Sequence, residues 1–290
     1  MVVFTEWKRL SVDLAELSIN TVLRCGQSFR WRASAEDEWS CVLNGRIVSL
    51  RQDLKHLQFR AGFPSESSES SATVSNSTST PGVYPREDDT EALLRHYFAL
   101  DIDLSALYQE WSTRDANFRE KAPQFTGIRI LRQDAWETLV SFICSSNNNI
   151  GRISQMVEKL CISYGPFIGY LGDQAYHDFP PPEKLTDKGV EARLRELGFG
   201  YRAKYIYQTA QMIVNNHNKD WLASLSNPES PPYGVMPSDG GPMHPEGREG
   251  YRKAHEELVG LHGVGPKVAD CVCLMGLGWS EAVPIDTHGW

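Results

Sequence analysis

The chain has 290 residues, enough for one large or two modest domains. Its 41% hydrophobic and 23% charged residues are the balance of an ordinary globular protein, and no apolar run is long enough to cross a bilayer as a helix. The formal net charge of −8 argues at first sight against a nucleic-acid partner, because phosphate contacts need lysine and arginine.

That average misleads if the acidic residues are held away from a binding face. Glu66, Glu69, Glu87, Asp88, Asp89 and Glu91 form one acidic stretch, and residues 187–196 hold another. The N-terminus has no apolar signal core, so secretion is not expected. The six cysteines (Cys25, Cys41, Cys144, Cys161, Cys271, Cys273) fit neither a zinc-ligand pattern nor a disulfide framework. Reduced thiols in a cytosolic or nuclear setting are the expectation.

In chain order, residues 27–32 and 39–43 are aromatic-rich, partly alternating, and read as strands. Asn44-Gly45 then separates WSCVL from RIVSL, the signal for a two-residue hairpin. Residues 56–63 supply another strand, so a small antiparallel sheet is expected before residue 64. Residues 64–83 are dominated by Ser, Thr, Glu and Pro and lack the apolar groups that offset ordering entropy, so they read as a disordered insertion. Residues 227–247, rich in Pro and Gly, read as a second, flexible insertion.

The remainder reads as helices. Residues 89–100, 104–111 and 135–145 come first, and Asn147-Asn148-Asn149 breaks the run. Ile153, Met156, Val157 and Leu160 then recur at helical spacing and should face a core. An acidic helix lies within 187–196. The last third reads helix (252–259), hairpin (LHGVG), helix (266–277). The expected fold class is α+β. A sheet domain with flanking helices over residues 1–125 packs on a helical domain over 126–290, whose helix, hairpin, helix unit spans about 252–278.

The chemistry concentrates in LHGVGPKVADCVCLMGLG, residues 261–278. Gly263 and Gly265 permit a tight turn and close approach to another surface. Pro266 suits a first helical turn, where its missing N–H is not needed. The N–H groups at that end favour an anion such as a phosphate, although the glycines alone also suit a plain connection between helices. The helix beyond them is apolar nearly all round and should be buried. A lysine at its buried end, Lys267, costs desolvation unless it has a task or reaches solvent along its stem. Desolvation of an amine favours its neutral, nucleophilic form. Cys271 and Met275 follow Lys267 at i+4 and i+8 and share its face, where they could line a pocket. Asp286, in VPIDTHGW, suits a helix N-cap, and could equally place a carboxylate near Lys267.

GVGPK followed by VPIDTH resembles the helix-hairpin-helix DNA glycosylases that carry a catalytic lysine. Three further stretches are similar to the 8-oxoguanine branch rather than to endonuclease III: CGQSFRW (25–31), FICSSNNNIGRI (142–153) and LGFGYRAKY (197–205). The resemblance runs from about residue 14 to residue 290. It implies a bifunctional DNA N-glycosylase and lyase of base excision repair, which flips 8-oxoguanine out of the duplex and excises it opposite cytosine.

The resemblance also implies roles. Lys267 would attack the sugar carbon that bears the damaged base, form a Schiff base and lead to strand cleavage by β-elimination. Asp286 would stabilise the charged sugar. The Gly26 carbonyl would accept from the N–H at position 7 of 8-oxoguanine. Guanine has a lone pair there instead, so the carbonyl would stay unpaired. Cys271 and Met275 would wall the base pocket. Asn147 would fill the hole left by the flipped base, Arg152 and Arg202 would donate to the orphaned cytosine, and Tyr201 would wedge beside it. Gly263 and Gly265 would meet the DNA backbone, and His288 matches a position near a phosphate. Taken singly, Asn147 reads equally as a turn residue, Arg152 as a solvated charge, Tyr201 as core and His288 as a cap or surface group.

An amine and a carboxylate suffice for this chemistry, so no metal or organic cofactor is expected. The partner is double-stranded DNA with 8-oxoguanine opposite cytosine, met by a monomer in the nucleus or mitochondrion. His262 stands where the family usually has proline, and Gly289 replaces a bulkier residue. The family continues beyond the position of Trp290, so a C-terminally truncated chain is expected. Two other readings remain: an endonuclease III-like enzyme for oxidised pyrimidines, and a non-catalytic isoform that binds damaged DNA.

Overall fold

A computed structural model describes residues 2–64 and 88–285. Nearly all of the 64–83 stretch read as an insertion lies outside the described residues, as do Glu66, Glu69 and Glu87. The architecture is α+β. Four strands, β3 (Arg32–Ala35), β4 (Glu38–Leu43), β5 (Arg46–Gln52) and β6 (His56–Pro64), run as an antiparallel meander. The short β1 (Val2–Phe4) and β2 (Lys8–Ser11) both pair with the outer edge of β6. Asn44 (φ 48°) and Gly45 (φ 72°) form the β4–β5 turn, with Leu43 opposite Arg46. Two positive φ values match the twist of the strands, which is why Asn-Gly serves there.

Residues 27–32, expected as a strand, are not one; only Arg32 enters β3. Phe29 and Trp31 have the same parity, yet they are buried in different cores. The segment crosses between cores and cannot keep one strand face. Its charge is anchored too: the Arg30 guanidinium donates to Glu137 at 2.7 and 2.9 Å, to Asp178 at 3.3 Å and to the Val42 carbonyl at 2.9 Å.

The helices pack around and beyond this sheet. α1 (Ile19–Val22) precedes β3; α2 (Thr90–Tyr97), α3 (Leu104–Arg114) and α4 (Ala116–Lys121) come after the sheet. Next come α5 (Ala135–Ile143), α6 (Ile150–Tyr164), α7 (Val190–Glu196), α8 (Arg202–Asn216), α9 (Trp221–Ser224), α10 (Glu249–Val259) and α11 (Pro266–Met275). Asp103, Asp115, Asp134 and Asn149 cap α3, α4, α5 and α6 by accepting from a first-turn N–H, which satisfies one of the donors each helix start leaves open. Ile153, Met156, Val157 and Leu160 are buried as their spacing requires.

One core joins the sheet to α2 and draws on residues 10–98 with Leu131. The second is helical, drawing on residues 136–282 with Phe29. The second half of the chain is mainly helical as expected, but it also holds a strand pair that was not foreseen. β7 (Phe167–Leu171) and β8 (Gln174–His177) form a hairpin that turns at Gly172 (φ 60°). Tyr176 from β8 packs with Val42 and Ile47 on the far side of the main sheet, so the hairpin exists because it covers apolar surface distant in sequence.

Residues 227–247 contain no helix or strand, but they are tied at several points. Asn227 is buried, its N–H donating to Leu277 O (2.8 Å) and its side-chain amide to Gly278 O (2.9 Å). The Tyr233 hydroxyl donates to Asp89 (3.1 Å), and Arg248 pairs with Glu229 (2.8 Å). Much of the acidic charge is matched locally. Asp88 pairs with Lys8, Asp89 with the buried Arg46, Glu191 with Arg195 and Glu196 with Arg193. Among the described residues no helix is long and apolar enough to cross a membrane.

Candidate active site

Lys267 occupies the first turn of α11, directly after the hairpin turn. Gly265 is the N-cap, extended at φ −95° and ψ 177°, and it has no side chain to close the first turn. The N–H groups there therefore face outward, toward any anion that approaches. Lys267 is half-buried, and its ammonium lies over the ring of Phe142, 5.1 Å from the centroid. Such a contact steadies a cation by about 0.5–1 kcal/mol at an exposed site. No ion pair to Lys267 is found among the described residues. Phe142 in turn meets Phe29 edge-to-face, with centroids 5.6 Å apart. The CGQSFRW, FICSSNNN and GVGPK stretches thus converge beneath one amine.

The hairpin turn is seated on α8. Gly263 has φ +77°, in the left-handed region that favours glycine, and it lies against Tyr205. A Cβ on Gly263 would stand 2.6 Å from Tyr205 Cγ. The Thr209 hydroxyl donates to the His262 carbonyl at 2.9 Å, so the turn is clamped on both sides. α8 begins at Tyr201-Arg202, so its first turns carry the hairpin on one side and these two residues at the end.

The three asparagines between α5 and α6 do different things. Asn147 is exposed at φ +47°, a conformation that asparagine tolerates better than most residues. Asn148 ties the turn to α5 by donating to Cys144 O at 2.9 Å. Asn149 caps α6 by accepting from Arg152 N–H at 3.0 Å. Tyr201 and Arg202 close on this turn: the Tyr201 hydroxyl donates to Ser146 O at 3.0 Å, and the Arg202 guanidinium donates to Ser146 O and, at 3.2 Å, to Asn147 O.

Tyr201 is 48% exposed, so it is not a core residue, whereas Arg202 is only 4% exposed. The Arg202 guanidinium lies 4.6 Å from the Tyr201 ring centroid, and its Nε is buried without a hydrogen-bond partner. Arg152 is exposed in the first turn of α6.

Gly26 completes the ring of residues. It has φ +87°, and a Cβ there would stand 3.1 Å from Ile150 Cδ1, the first residue of α6. The Gly26 loop, the Asn147 turn, the start of α8, the hairpin and Lys267 therefore form one chain of contacts. Cys271 and Met275 are buried in the helical core on the inward side of α11. A cavity of about 380 Å³ opens between sheet and helices, lined by Leu43, Tyr97, Trp136 and Leu222, and it includes neither Lys267 nor those two residues. Asp286 and His288, expected as partner carboxylate and phosphate contact, lie outside the described residues.

Sequence reasoning missed the support beneath these groups. Phe29, Phe142 and Tyr205 all lay inside the stretches singled out, but nothing local marks which ring will face an amine or a glycine. Gln27 was likewise inside CGQSFRW, and the partners of its amide, Arg129 and Leu131, lie about a hundred residues away.

Two family models match the chain. The 8-oxoguanine DNA glycosylase N-terminal domain matches residues 9–139, and the HhH-GPD superfamily of base excision DNA repair proteins matches residues 140–288. An N-glycosylase/DNA lyase of Saccharomyces cerevisiae is 39% identical over 97% of this chain and 68% of its own length. The N-glycosylase/DNA lyase OGG1 of Arabidopsis thaliana is 33% identical over 98% of this chain and 67% of its own. Among solved structures, the Clostridium acetobutylicum 8-oxoguanine glycosylase/lyase, bound to double-stranded DNA containing cytosine opposite 8-oxoG, superposes with a TM-score of 0.72 at 25% identity. It covers 99% of this chain and 82% of that one.

Proposed function

Because this chain belongs to the HhH-GPD superfamily of base excision DNA repair proteins, in the branch that carries the 8-oxoguanine DNA glycosylase N-terminal domain, we propose that it is an N-glycosylase/DNA lyase that excises 8-oxoguanine opposite cytosine. The observation that carries this reading is the position of the Lys267 amine. It stands over Phe142, without an ion-pair partner among the described residues, in the first turn of a helix whose N-cap glycine offers no side chain to the opening N–H groups.

In this reading the flipped nucleotide enters between Gly26 and α11. The Lys267 amine attacks the sugar carbon bearing the base. That carbon's bond to the base breaks, the base leaves with the bonding pair and takes up a proton, and the nitrogen gives up one. The same carbon's bond to the ring oxygen then breaks, the oxygen is protonated as the ring opens, and the carbon–nitrogen double bond of the Schiff base forms. The imine then acidifies the neighbouring carbon, and β-elimination expels the 3′ phosphate. Asp286 steadies the positive sugar. The Gly26 carbonyl accepts from the position-7 N–H of 8-oxoguanine; facing guanine it would be left unpaired, at a cost of about 1–3 kcal/mol.

Cys271 and Met275 stiffen the helix side of the pocket. Asn147, at the tip of its turn, occupies the space the base vacates, and Tyr201 wedges beside it. Arg152 reaches the orphaned cytosine from solvent. Arg202, one nitrogen held by Ser146 and Asn147, offers the donors it has left. The Gly263 to Gly265 turn and His288 meet the backbone phosphates. The enzyme acts as a monomer in the nucleus.

The test is strand cleavage of duplexes carrying one 8-oxoguanine opposite cytosine, adenine, guanine or thymine, with thymine glycol and undamaged duplexes alongside. Cleavage is expected to be fastest opposite cytosine and absent from undamaged DNA. Equal or faster cleavage at thymine glycol would move the chain to the oxidised-pyrimidine class.

A further inference from the structure

Two glutamines tie the loop that presents Gly26 to the end of helix α11, and the proposed chemistry uses neither. The Gln27 side-chain amide donates to Arg129 O at 2.8 Å and accepts from Leu131 N–H at 2.9 Å. It meets the main chain of that segment with one donor and one acceptor, as a neighbouring strand would. The Gln27 main-chain carbonyl accepts from the Gln133 side-chain amide at 2.9 Å, and the Gln133 N–H donates to Met275 O at 2.7 Å. An unbroken path of hydrogen bonds therefore runs from the residue after Gly26, through Gln133, to the last residue of α11.

The chemistry of the amide explains the choice of residue at Gln27. Arg129 O and Leu131 N–H need one donor and one acceptor from the same planar group. A carboxylate of equal size would aim an acceptor at the Arg129 carbonyl, and an alkyl chain would leave both groups unpaired. The anchor itself is rigid: Leu131 is fully buried, and the buried Arg129 guanidinium donates to Ala99 O at 2.7 Å and Ile102 O at 2.8 Å and pairs with Glu16. With the Gln27 side chain and carbonyl both fixed, the Gly26 carbonyl has little freedom beyond its own peptide plane. Ile150 flanks Gly26 closely enough that a Cβ there would stand 3.1 Å from its Cδ1.

We propose that Gln27 and Gln133 are positioning residues for lesion recognition, which set the distance and angle between the Gly26 carbonyl and the α11 wall of the base pocket. This rests on the reading of Gly26 as the group that accepts from 8-oxoguanine. A displacement of about 1 Å in such a contact can lower a rate a hundredfold.

The test compares two activities of the full chain in the same duplex. One is release of 8-oxoguanine opposite cytosine under single-turnover conditions; the other is cleavage at a preformed abasic site, which has no base to read. Gln27→Glu keeps the shape and removes the donor to Arg129 O. Gln133→Leu keeps the main-chain bond to Met275 and removes only the side-chain donor. Each variant is expected to slow base release at least tenfold and abasic cleavage no more than threefold. A general loss of structure lowers both activities together, so an equal loss of base release and abasic cleavage in either variant overturns the proposal, as does base release at the wild-type rate. The reading of Gly26 fails separately: a wild-type chain that releases guanine as readily as 8-oxoguanine refutes it before any variant is compared.

Discussion

The two hairpin glycines should respond differently to the same substitution, and the difference arises from their surroundings. Gly263→Ala places a methyl group 2.6 Å from Tyr205 Cγ and 2.7 Å from Tyr205 Cβ, atoms fixed to the backbone of α8 rather than at the far end of a flexible chain. It also forces alanine into φ +77°. The left-handed backbone costs roughly 1–2 kcal/mol, and overpacking adds typically about 1–3 kcal/mol. The sum is a loss of about 2–5 kcal/mol in unfolding free energy.

Gly265→Ala meets nothing within 4 Å, and its φ of −95° is open to any residue. There the poorer capping of alanine opposes the gain from a stiffer unfolded chain, and the net change stays within about 1 kcal/mol. Its effect should appear on DNA, because the added methyl stands before the N–H groups of α11. Loss of one N–H contact to a phosphate should weaken binding by about 0.5–1.5 kcal/mol and leave the slope of log affinity against log salt nearly unchanged, because no cation is removed. Urea denaturation measures the first quantity, and fluorescence anisotropy with lesion duplex at several salt concentrations measures the second. A Gly263→Ala protein within about 0.5 kcal/mol of wild type, the range of an ordinary surface change, would refute the packing argument. An unchanged affinity for Gly265→Ala at every salt concentration would remove the hairpin from the phosphate contacts.

Two further outcomes are expected. Arg152→Ala should narrow the preference for cytosine over adenine opposite the lesion by about tenfold, the equivalent of 1.4 kcal/mol; Arg202→Ala should narrow it too, with a loss of overall affinity because the Asn147 turn is released. An unchanged ratio in both variants would remove the arginines from that role. Glu16→Gln should destabilise the fold by about 1–3 kcal/mol at neutral pH, the range for a charged hydrogen bond. Desolvation pushes the Glu16 carboxyl up, but the Ser105 and Leu104 donors and Arg129 outweigh it and hold the group below its ordinary value of 4.5. A lowered folded value means the stabilisation is complete above about 4.5 and is lost as the pH falls toward the folded value. The difference between variant and wild type in urea denaturation should therefore shrink below that pH, and a difference that holds constant to acid would contradict the assignment.

Local chemistry made some of this molecule legible in its sequence. Asn44-Gly45 dictates its turn, the three asparagines 147–149 break the helical run where α5 and α6 part, and the spacing of Ile153, Met156, Val157 and Leu160 leaves one face to bury. The lysine after GVGP was legible because an apolar helix makes a charged entrance conspicuous. The features that could not be read depend on partners distant in the chain. Phe29 and Trp31 look like one face of a strand until two separate cores claim them. The β7–β8 hairpin needs the back of a sheet built more than a hundred residues earlier. Arg202 looked like a free donor, yet it is buried because Ser146 and Asn147 turn their carbonyls toward it. The Phe142 ring beneath Lys267 belongs to the same class: each residue was visible, and their meeting was not.

The central claim is that Lys267 is the nucleophile, and borohydride trapping on a duplex carrying 8-oxoguanine opposite cytosine tests it most directly. Wild-type protein should yield a covalent protein–DNA adduct, because reduction captures the Schiff base. Lys267→Gln should yield none while still binding the lesion duplex, and Lys267→Arg should fail as well, since a guanidinium stays protonated. A trapped adduct from Lys267→Gln at the wild-type level would contradict the account.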